Sequence, residues 1–493
     1  MKILLYDTGD VRDELNEPIG IELLAAQVLR ELDVSVDIKW FNFDGYRFNP
    51  EDYDMIGVSI HINGLREFDH IYQMCRESGF HGVIVAGNSI ATFAYQHLLK
   101  KYPDIICSIG EGDDTFKEIV KSFMSGHFEP TRIQNIAYQA HGQIVVTDRR
   151  QFDLRYYLPP LRVFTRQLKA AGGIARIEAS RGCAWNKCSF CGTTHKYHSG
   201  GWRPIDLEIV LAQLVELSQS ELLTVYFCDE DFIGSDSSRF AALVDKIDEK
   251  MKVGEISSGM KFFISVKPID LIQQSNIETI EKFMGCGLKD LFVGLESGCD
   301  SQLKRYNKCT NVKTNSMIAD RIRKLMQEGL SVDIGFIFFD FFMTPAEVEE
   351  NLNFIESNHL YLFVSSLFKP MRIQPFTKVF IDTAIFSENQ FSIDDLYYSY
   401  HFSDDTVEQI YTEYTGLGLE TIAHKLQSIY RRDMSSERKR ELSERSLLAL
   451  RYLQFFAMKT ITAHYIRSEL DETQYQYRLH EITTEATGLL PRR

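Results

Sequence analysis

Short apolar segments alternate with amphipathic helical segments over residues 1–130 and again over residues 174–380, and this alternation restricts the fold more than any other feature. Each apolar segment has the length of a buried strand, and the segments between them have the spacing of helices that cover a sheet. Strands joined by single helices form parallel sheets, because the helix carries the chain back before the next strand begins. The sequence therefore predicts an α/β protein.

The first 130 residues contain five predicted strands, which read KILLYD, VSVDIKWF, DMIGVSI, GVIVAG and IICSIG. With one helix between successive strands, they predict a doubly wound parallel sheet. A ligand of such a sheet lies beyond the carboxyl ends of the strands, where glycine-containing loops let the backbone approach closely. The candidate loops are AGNS (Ala86–Ser89) and GEGDD (Gly110–Asp114).

Residues 131–173 predict a hairpin, NIAYQAHGQIVVTDRR, and a linker, YYLPPLR, in which two prolines favour extended chain. Residues 174–384 contain six further predicted strands, which read IARIEAS, LLTVYFCD, MKFFISV, DLFVGLES, SVDIGFIFF and MRIQPF. Six β/α units in this length predict a partial barrel, because a complete eightfold barrel needs about 250 residues. Residues 385–493 predict a helical region.

The formal net charge of −15 argues against a broad nucleic-acid interface, which needs a basic surface. No apolar run approaches the ~18 residues of a membrane helix, and the opening MKILLYDTGDVRDELNEPIG does not resemble a signal peptide. We therefore expect a cytoplasmic protein without nucleic-acid or membrane partners. In that reducing compartment, the nine cysteines are expected to be thiols or metal ligands.

Three cysteines lie within nine positions of the segment RGCAWNKCSFCGTTH, directly after the first predicted barrel strand. Cys183, Cys188 and Cys191 could bind zinc, with His195 or His198 as a fourth ligand, although structural zinc sites usually take two pairs of ligands. The favoured alternative is a 4Fe-4S cluster, which normally has four cysteine ligands. Three thiolates leave one iron open to a small chelating molecule.

This cysteine segment resembles the radical S-adenosylmethionine (SAM) superfamily, whose usual motif is C-x3-C-x-aromatic-C after the first strand of a partial sixfold barrel. Phe190 occupies the aromatic position, whereas four residues separate Cys183 from Cys188 where the motif has three. The segments VYFCDEDFIG, LFVGLESG and MRIQPFT fall where the second, fourth and sixth strands of the family end.

The resemblance implies that the three cysteines hold the cluster and that its open iron binds the amino and carboxylate groups of SAM. Electron transfer then breaks a sulfur–carbon bond of SAM, and a 5′-deoxyadenosyl radical takes a hydrogen atom from the substrate. The expected SAM contacts are Phe190 at the adenine, Asp229, Glu230 and Asp231 at the ammonium group, and Glu296 and Ser297 at the end of their strand. Alternatively, the acidic trio is a solvated loop, and Glu296 and Ser297 make structural hydrogen bonds. Lys267 and Arg372 are candidates to meet a carboxylate or a phosphate.

The amino-terminal region resembles the cobalamin-binding domain of one large radical SAM subgroup, through EPIGIELLAAQVLREL, GVIVAGNSIAT and IGEGDDTF. The resemblance covers roughly residues 1–380, and it implies that Gly87, Asn88 and Gly112 let the backbone approach a corrin ring or its tail. The cobalt-ligating pattern D-x-H-x-x-G is absent, since His61 lies in SIHINGLREFDH. Cobalamin binding is therefore left open.

Whether the protein binds cobalamin decides which reaction is expected. With cobalamin, the resemblance implies C-methylation of a natural-product or peptide substrate, which is the favoured reaction. Without it, the alternatives are radical epimerisation, dehydration or rearrangement, with the amino-terminal domain structural or used for docking. Cysteines that could return a hydrogen atom are Cys228, Cys286, Cys299 and Cys309, and none is assigned that role. A reducing partner such as flavodoxin or ferredoxin is also expected.

Overall fold

The computed structural model describes residues 1–9, 15–198, 200–364, 367–383, 386, 390–432 and 437–490, and it describes side chains in these ranges outside 427–444. The chain divides into two compact units. The first unit contains Met1–Leu291 and Arg372–Ser399, and the second contains Phe292–Met371 and Tyr400–Arg493.

A seven-stranded sheet forms the amino-terminal part of the first unit. Its strands are β1 (Lys2–Asp7), β2 (Ser35–Trp40), β3 (Met55–Ser59), β4 (Val83–Gly87), β5 (Ile106–Ser108), β6 (Ile136–Ala140) and β7 (Gln143–Val146). They lie in the order β2-β1-β3-β4-β5-β6-β7. The first five strands are parallel, as the sequence predicted, and the predicted hairpin β6–β7 extends the same sheet in the antiparallel sense. The strand order reverses between β1 and β3, which is where such sheets bind ligands.

Five helices accompany this sheet: α1 (Ile19–Glu31), α2 (Phe41–Asp44), α3 (Leu65–Glu77), α4 (Asn88–Lys101) and α5 (Asp113–Met124). Successive residues of β1 belong to different cores, because neighbouring side chains of a strand point to opposite faces. Leu4 and Tyr6 pack in one cluster with Phe68 of α3, whereas Ile3 and Leu5 pack in the other with residues of α1 and α5. Burial on both faces explains why the strand is apolar throughout.

The remaining strands are shorter or lie in the barrel-like region. They are β8 (Ala175–Ile177), β9 (Ser180–Arg181), β10 (Arg203–Pro204), β11 (Thr224–Phe227), β12 (Lys261–Val266), β13 (Leu288–Glu296), β14 (Ser331–Phe336), β15 (Phe391–Ser392) and β16 (Tyr397–Tyr398). In the first unit, β11 lies between β8 and β12 and is parallel to both. The strands β9 and β10 pair antiparallel.

Helices separate these strands and form the carboxyl-terminal region. They are α6 (Thr165–Ala171), α7 (Thr193–Lys196), α8 (Leu207–Gln219), α9 (Ser237–Lys252), α10 (Gln274–Gly285), α11 (Asp300–Arg305), α12 (Val312–Gln327), α13 (Pro345–Ser357), α14 (Lys378–Thr383), α15 (Asp405–Gly416), α16 (Leu419–Arg432), α17 (Glu437–Tyr465) and α18 (Glu472–Gly488). No helix in the described part of the chain is both long enough and apolar enough to span a membrane.

The sixth predicted strand, MRIQPF, differs from the expectation. Residues 371–376 are all described, and Ile373 makes only a single β-bridge, to Tyr398. Pro375 cannot donate a ladder hydrogen bond, and Phe376 has a φ of 63°, which turns the chain out of the extended conformation. These two residues end the segment before a strand can form.

Candidate functional site

The segment with three cysteines begins at a tight turn after β9. Gly182 has a φ of 84°, and a Cβ atom added there would lie 2.5 Å from the carbonyl oxygen of Gly201. A side chain at this position would therefore meet both backbone strain and a backbone clash. We call residues 182–192 the cysteine loop, and Gly182 sets the direction in which it leaves the strand.

Hydrogen bonds within and around the cysteine loop fix its path. The Asn186 side chain donates to the carbonyl oxygen of Gly200 at 3.0 Å and accepts from the Thr194 hydroxyl at 3.0 Å. The backbone amide of Cys191 donates to the carbonyl oxygen of Cys188 at 3.2 Å. Cys183, Cys188 and Cys191 are all partly exposed, and all three are free thiols.

Asp231 holds the loop from its buried side. Its carboxylate accepts a hydrogen bond from the backbone amide of Ala184 at 2.9 Å and is fully buried. The ammonium group of Lys267 donates to both carboxylate oxygens, at 2.8 and 2.7 Å, and also contacts Asp270 at 3.0 Å. A buried charge must be paired in this way. Lys267, a candidate to meet a ligand, is thus engaged inside the protein.

Glu230 joins the start of the loop to the segment that follows it. Its carboxylate accepts from the backbone amide of Gly182 at 3.3 Å, from Lys196 Nζ at 2.7 Å and from the Tyr197 hydroxyl at 2.8 Å. Burial raises the pKa of Glu230, but the charge of Lys196 and these hydrogen bonds outweigh it, so the pKa is lowered. The carboxylate is therefore ionised when it holds the loop.

Asp229 contacts the strand that leads into the loop. Its carboxylate accepts from the backbone amide of Ala179 at 3.0 Å and from the Ser180 hydroxyl. Burial raises the pKa of Asp229 to about 8. The acidic trio is thus not a solvated loop. Its role as an acceptor for the SAM ammonium group stays a prediction, and sequence reasoning missed its contacts with the cysteine loop.

The zinc alternative finds little support in the geometry. Zinc gathers its ligands around one point, with sulfur about 2.3 Å from the metal, whereas cluster thiolates bind separate irons. Among the described residues, no group of three or more His, Cys, Asp or Glu side chains is arranged to hold a single ion. His195 stacks on Phe376 with ring centres 4.1 Å apart, and its Nε2 atom lies 3.2 Å from the carbonyl oxygen of Thr92. Three soft sulfur donors on one loop fit an iron–sulfur cluster.

The other expected SAM contacts lie in different surroundings. Phe190 is half-buried beside Ser189, whose carbonyl oxygen accepts from the backbone amide of Val379 at 2.9 Å. Arg372, the second cationic candidate, donates to the carbonyl oxygen of Asp395 and lies over the Tyr397 ring. The adenine contact of Phe190 and a ligand contact of Arg372 stay predictions.

Glu296 and Ser297 belong to the second unit, at the end of β13. Glu296 has a φ of 68° and pairs with Lys308 at 3.3 Å. A residue other than glycine in this left-handed region is strained, and such strain is concentrated at functional sites. The Ser297 hydroxyl is buried, 2.5 Å from Gln302 Oε1 and 3.0 Å from Asn351 Oδ1, which agrees with a structural hydrogen bond. Contact of either residue with SAM stays a prediction.

A cavity with a volume of about 230 Å³ lies at the carboxyl edge of the seven-stranded sheet and is partly open to solvent. All three predicted glycine-loop residues line it, namely Gly87, Asn88 and Gly112. The deep wall is apolar at Leu5 and Phe116, and a Cβ added to Gly57 would lie 2.8 Å from Leu5. The cavity therefore extends into the core of the sheet.

Residues from the barrel-like region form the opposite wall of this cavity. They are Arg176 in β8, Glu178 directly after β8, Arg181 in β9, Lys196 and Tyr197 after the cysteine loop, and Cys228 after β11. Arg181 donates to Glu111, in the loop that follows β5, at 3.0 Å, and to Asp113, the first residue of α5, at 2.8 and 3.1 Å. These buried ion pairs tie the sheet edge to the residue just before Gly182. Sequence reasoning missed Arg176 and Arg181.

Some of the histidine and cysteine candidates line the cavity, and others lie outside its wall. His61 lines the cavity, with Nε2 2.8 Å from the buried carboxylate of Asp7. Cys228 also lines it, whereas Cys286 and Cys299 are buried and lie outside its wall, and Cys309 is partly exposed. Burial raises the pKa of the Cys228 thiol to about 12, so the thiol is protonated at neutral pH.

Residues 177–355 match the model of the Radical SAM superfamily. A 4'-phospho-dehydrooxetanocin synthase from Priestia megaterium is 27% identical over 347 residues, which are 66% of this chain and 44% of that protein. The chain thus spans about half or less of the length of the curated relatives it matches.

Two solved structures are similar in fold. The cobalamin-dependent SAM radical enzyme OxsB with aqua-cobalamin bound has a TM-score of 0.83 at 18% identity, covering 99% of this chain and 81% of that chain. The radical SAM methyltransferase TsrM from Kitasatospora setae, with cobalamin and a 4Fe-4S cluster bound, has a TM-score of 0.61 at 15% identity, covering 73% of each chain.

Proposed function

The chain belongs to the radical SAM superfamily, and on that premise we propose that it is an enzyme that generates a 5′-deoxyadenosyl radical to modify an unactivated C–H bond. We propose C-methylation with cobalamin as the reaction, acting on a natural-product intermediate or a peptide. The observation that carries this proposal is the cavity at the sheet edge, which is also lined by Arg181, directly before the cysteine loop, and by Lys196 and Tyr197, which follow it.

The residues of the cysteine loop suit a 4Fe-4S cluster. Cys183, Cys188 and Cys191 would hold three irons, and the fourth iron would take the amino and carboxylate groups of SAM. When bound, the cluster supplies the electron that cleaves SAM. The chain's own part is to hold the loop, which Asp231 and Glu230 do through the amides of Ala184 and Gly182.

The cavity suits a corrinoid. Gly87, Asn88 and Gly112 line one side without bulky side chains, and Gly57 deepens the apolar wall toward the core. The buried Ser108 hydroxyl in the same wall has no hydrogen-bond partner among the described residues, so a ligand with a polar atom could form a hydrogen bond with it. Bound cobalamin would supply the methyl group, and the wall residues would orient it and exclude water.

The names of similar proteins support more than one reaction. TsrM is a methyltransferase, which favours methyl transfer, whereas the 27% identical relative is a synthase. The second candidate is therefore a cobalamin-independent epimerisation, dehydration or rearrangement. The protonated Cys228 thiol in the cavity wall favours it, because a thiol can return a hydrogen atom.

The remaining parts of the proposal come from the sequence. We propose a cytoplasmic enzyme that receives electrons from a flavodoxin or ferredoxin. We also propose a cobalamin-binding-like domain at 1–130, a hairpin and linker at 131–173, a radical SAM barrel at 174–384 and a helical region at 385–493.

Reconstitution with and without hydroxocobalamin separates the two reactions. The proposal predicts corrin absorption bands that remain after gel filtration, and 5′-deoxyadenosine on reduction in the presence of SAM. Retained SAM cleavage without corrin bands would favour the second candidate. Absence of 5′-deoxyadenosine with iron fully loaded and substrate supplied would contradict radical generation altogether.

A further inference from the structure

Two polar side chains on opposite walls of the cavity have groups that no other described residue satisfies. The guanidinium of Arg176 has no hydrogen-bond or ion-pair partner among the described residues, and its Nε atom is buried. Ser108, at the end of β5, is 6% exposed, and its hydroxyl is also without a partner. Most buried polar groups in folded proteins are hydrogen-bonded, so two such groups facing one cavity require an explanation.

The acidic residues near Arg176 already contact other side chains. Asp7 contacts His61 at 2.8 Å, and Glu178 contacts Arg181 at 2.8 Å. Burial opposes the positive charge of Arg176, but the nearby titratable groups Cys228, Tyr226, Asp7 and Glu178 raise its pKa. Arg176 is therefore a charged group close to acids that are engaged elsewhere.

The position of Arg176 explains why its side chain reaches the cavity. In β8 the side chains of Ala175 and Ile177 are buried, and the residue between them points to the opposite face. Its backbone amide donates to Glu17 Oε2 at 2.8 Å, which fixes the strand. The side chain thus extends from a fixed backbone into the space facing the sheet edge.

We propose that Arg176 and Ser108 are ligand-binding residues that contact one oxygen-bearing ligand from the two walls of the cavity. The guanidinium donates to carboxamide or phosphate oxygens, and the hydroxyl bonds to a polar atom of the part held against the sheet. Cobalamin carries both kinds of oxygen, so the choice of ligand rests on the proposed function. The observation that Arg176 and Ser108 lack partners within the described part of the chain does not depend on the proposed function.

The first test measures thermal unfolding of the full-length, corrinoid-free chain. Arg176→Met removes a charge that has no hydrogen-bond or ion-pair partner among the described residues, so the melting temperature should fall by less than in the matched control. Arg181→Met is the matched control, because this arginine is paired with three acids, and it should lower the melting temperature by several degrees. A drop for Arg176→Met as large as that of the control would overturn the inference, since it would reveal an internal partner.

The second test measures the affinity for hydroxocobalamin and for cobinamide, which lacks the nucleotide and its phosphate. Arg176→Met and Ser108→Ala should each weaken hydroxocobalamin binding at least tenfold, and Arg176→Lys should recover part of the loss. Arg155→Met, which removes an exposed arginine, should bind like the wild type. Equal losses for both corrinoids would assign the contact to carboxamides, and a loss for hydroxocobalamin alone would assign it to the phosphate.

The outcomes separate this inference from the proposed function. Wild-type affinity in both variants would overturn the inference while leaving cobalamin binding intact. A wild-type chain that binds neither corrinoid would end the cobalamin proposal. In that case the unfolding measurement alone decides whether Arg176 is held unpaired for another oxygen-bearing ligand.

Discussion

The carboxylate of Asp231 accepts a hydrogen bond at 2.9 Å from the backbone amide of Ala184, the residue directly after the first cysteine of the loop. The same carboxylate pairs with Lys267, so a buried ion pair fixes the position of the loop backbone. The loop is thus held by a side chain that lies 47 positions further along the chain.

Asp231→Asn should weaken the cysteine loop and the protein together. The change removes the negative charge that pairs with the buried ammonium group of Lys267. Breaking a buried ion pair costs about 3–5 kcal/mol. We expect a lower unfolding free energy and a reduced iron content after anaerobic reconstitution. Asp248→Asn is the control, because its pairs with Lys252 and Lys282 lie at the protein surface, where such pairs contribute little to stability. Equal effects of the two variants would refute a special role for Asp231.

Gly182→Ala should prevent the loop from reaching its observed path. A left-handed residue other than glycine costs about 1–2 kcal/mol, and here the added Cβ also meets the Gly201 carbonyl oxygen. Gly126→Ala introduces the same backbone strain without a clash, because that glycine has a φ of 72° and open space around it. Iron content after reconstitution should fall for Gly182→Ala and stay unchanged for Gly126→Ala.

His195 should make the stability of the iron-free protein depend on pH. Burial lowers its pKa to about 4, whereas the unfolded histidine has a pKa near 6.5. The folded state then binds fewer protons than the unfolded state between these values. Stability is therefore complete above pH 6.5 and falls as the pH falls toward 4, by roughly 2 kcal/mol after allowing for solvent screening.

Denaturant unfolding of His195→Phe between pH 4 and 7 checks this dependence. Phenylalanine keeps the stacking on Phe376 and removes the titrating group, so the slope of unfolding free energy against pH should become flatter. His127→Phe changes an exposed histidine and serves as the control. An unchanged slope for His195→Phe would show that the buried ring does not contribute.

The architecture of the amino-terminal sheet was predictable because each strand and helix can be recognised from its own residues. Four of the five parallel strands are mostly buried and read as apolar segments, and β2 is a half-buried edge strand. The helices between the five strands leave a parallel sheet as the simplest arrangement. The glycine loops were predictable for the same reason, since parallel strands end at one edge. Gly87, Asn88 and Gly112 do line the cavity there.

The parts that sequence reasoning missed depend on contacts between distant residues. Arg176 and Glu178 alternate with buried residues in IARIEAS, which is equally typical of a strand with one solvated face. Only the packing of the sheet edge against β8 makes that face a cavity wall. Likewise, nothing in the run DED indicates which backbone amides its carboxylates accept from.

Anaerobic reconstitution of the wild type and of a variant with Cys183, Cys188 and Cys191 all replaced by alanine tests the account most directly. About four irons should bind per wild-type chain, and SAM should change the electron paramagnetic resonance spectrum of the reduced cluster. The triple variant should bind no cluster and show no response to SAM. Zinc in place of iron in the wild type, or a SAM-responsive cluster that survives the triple replacement, would contradict it.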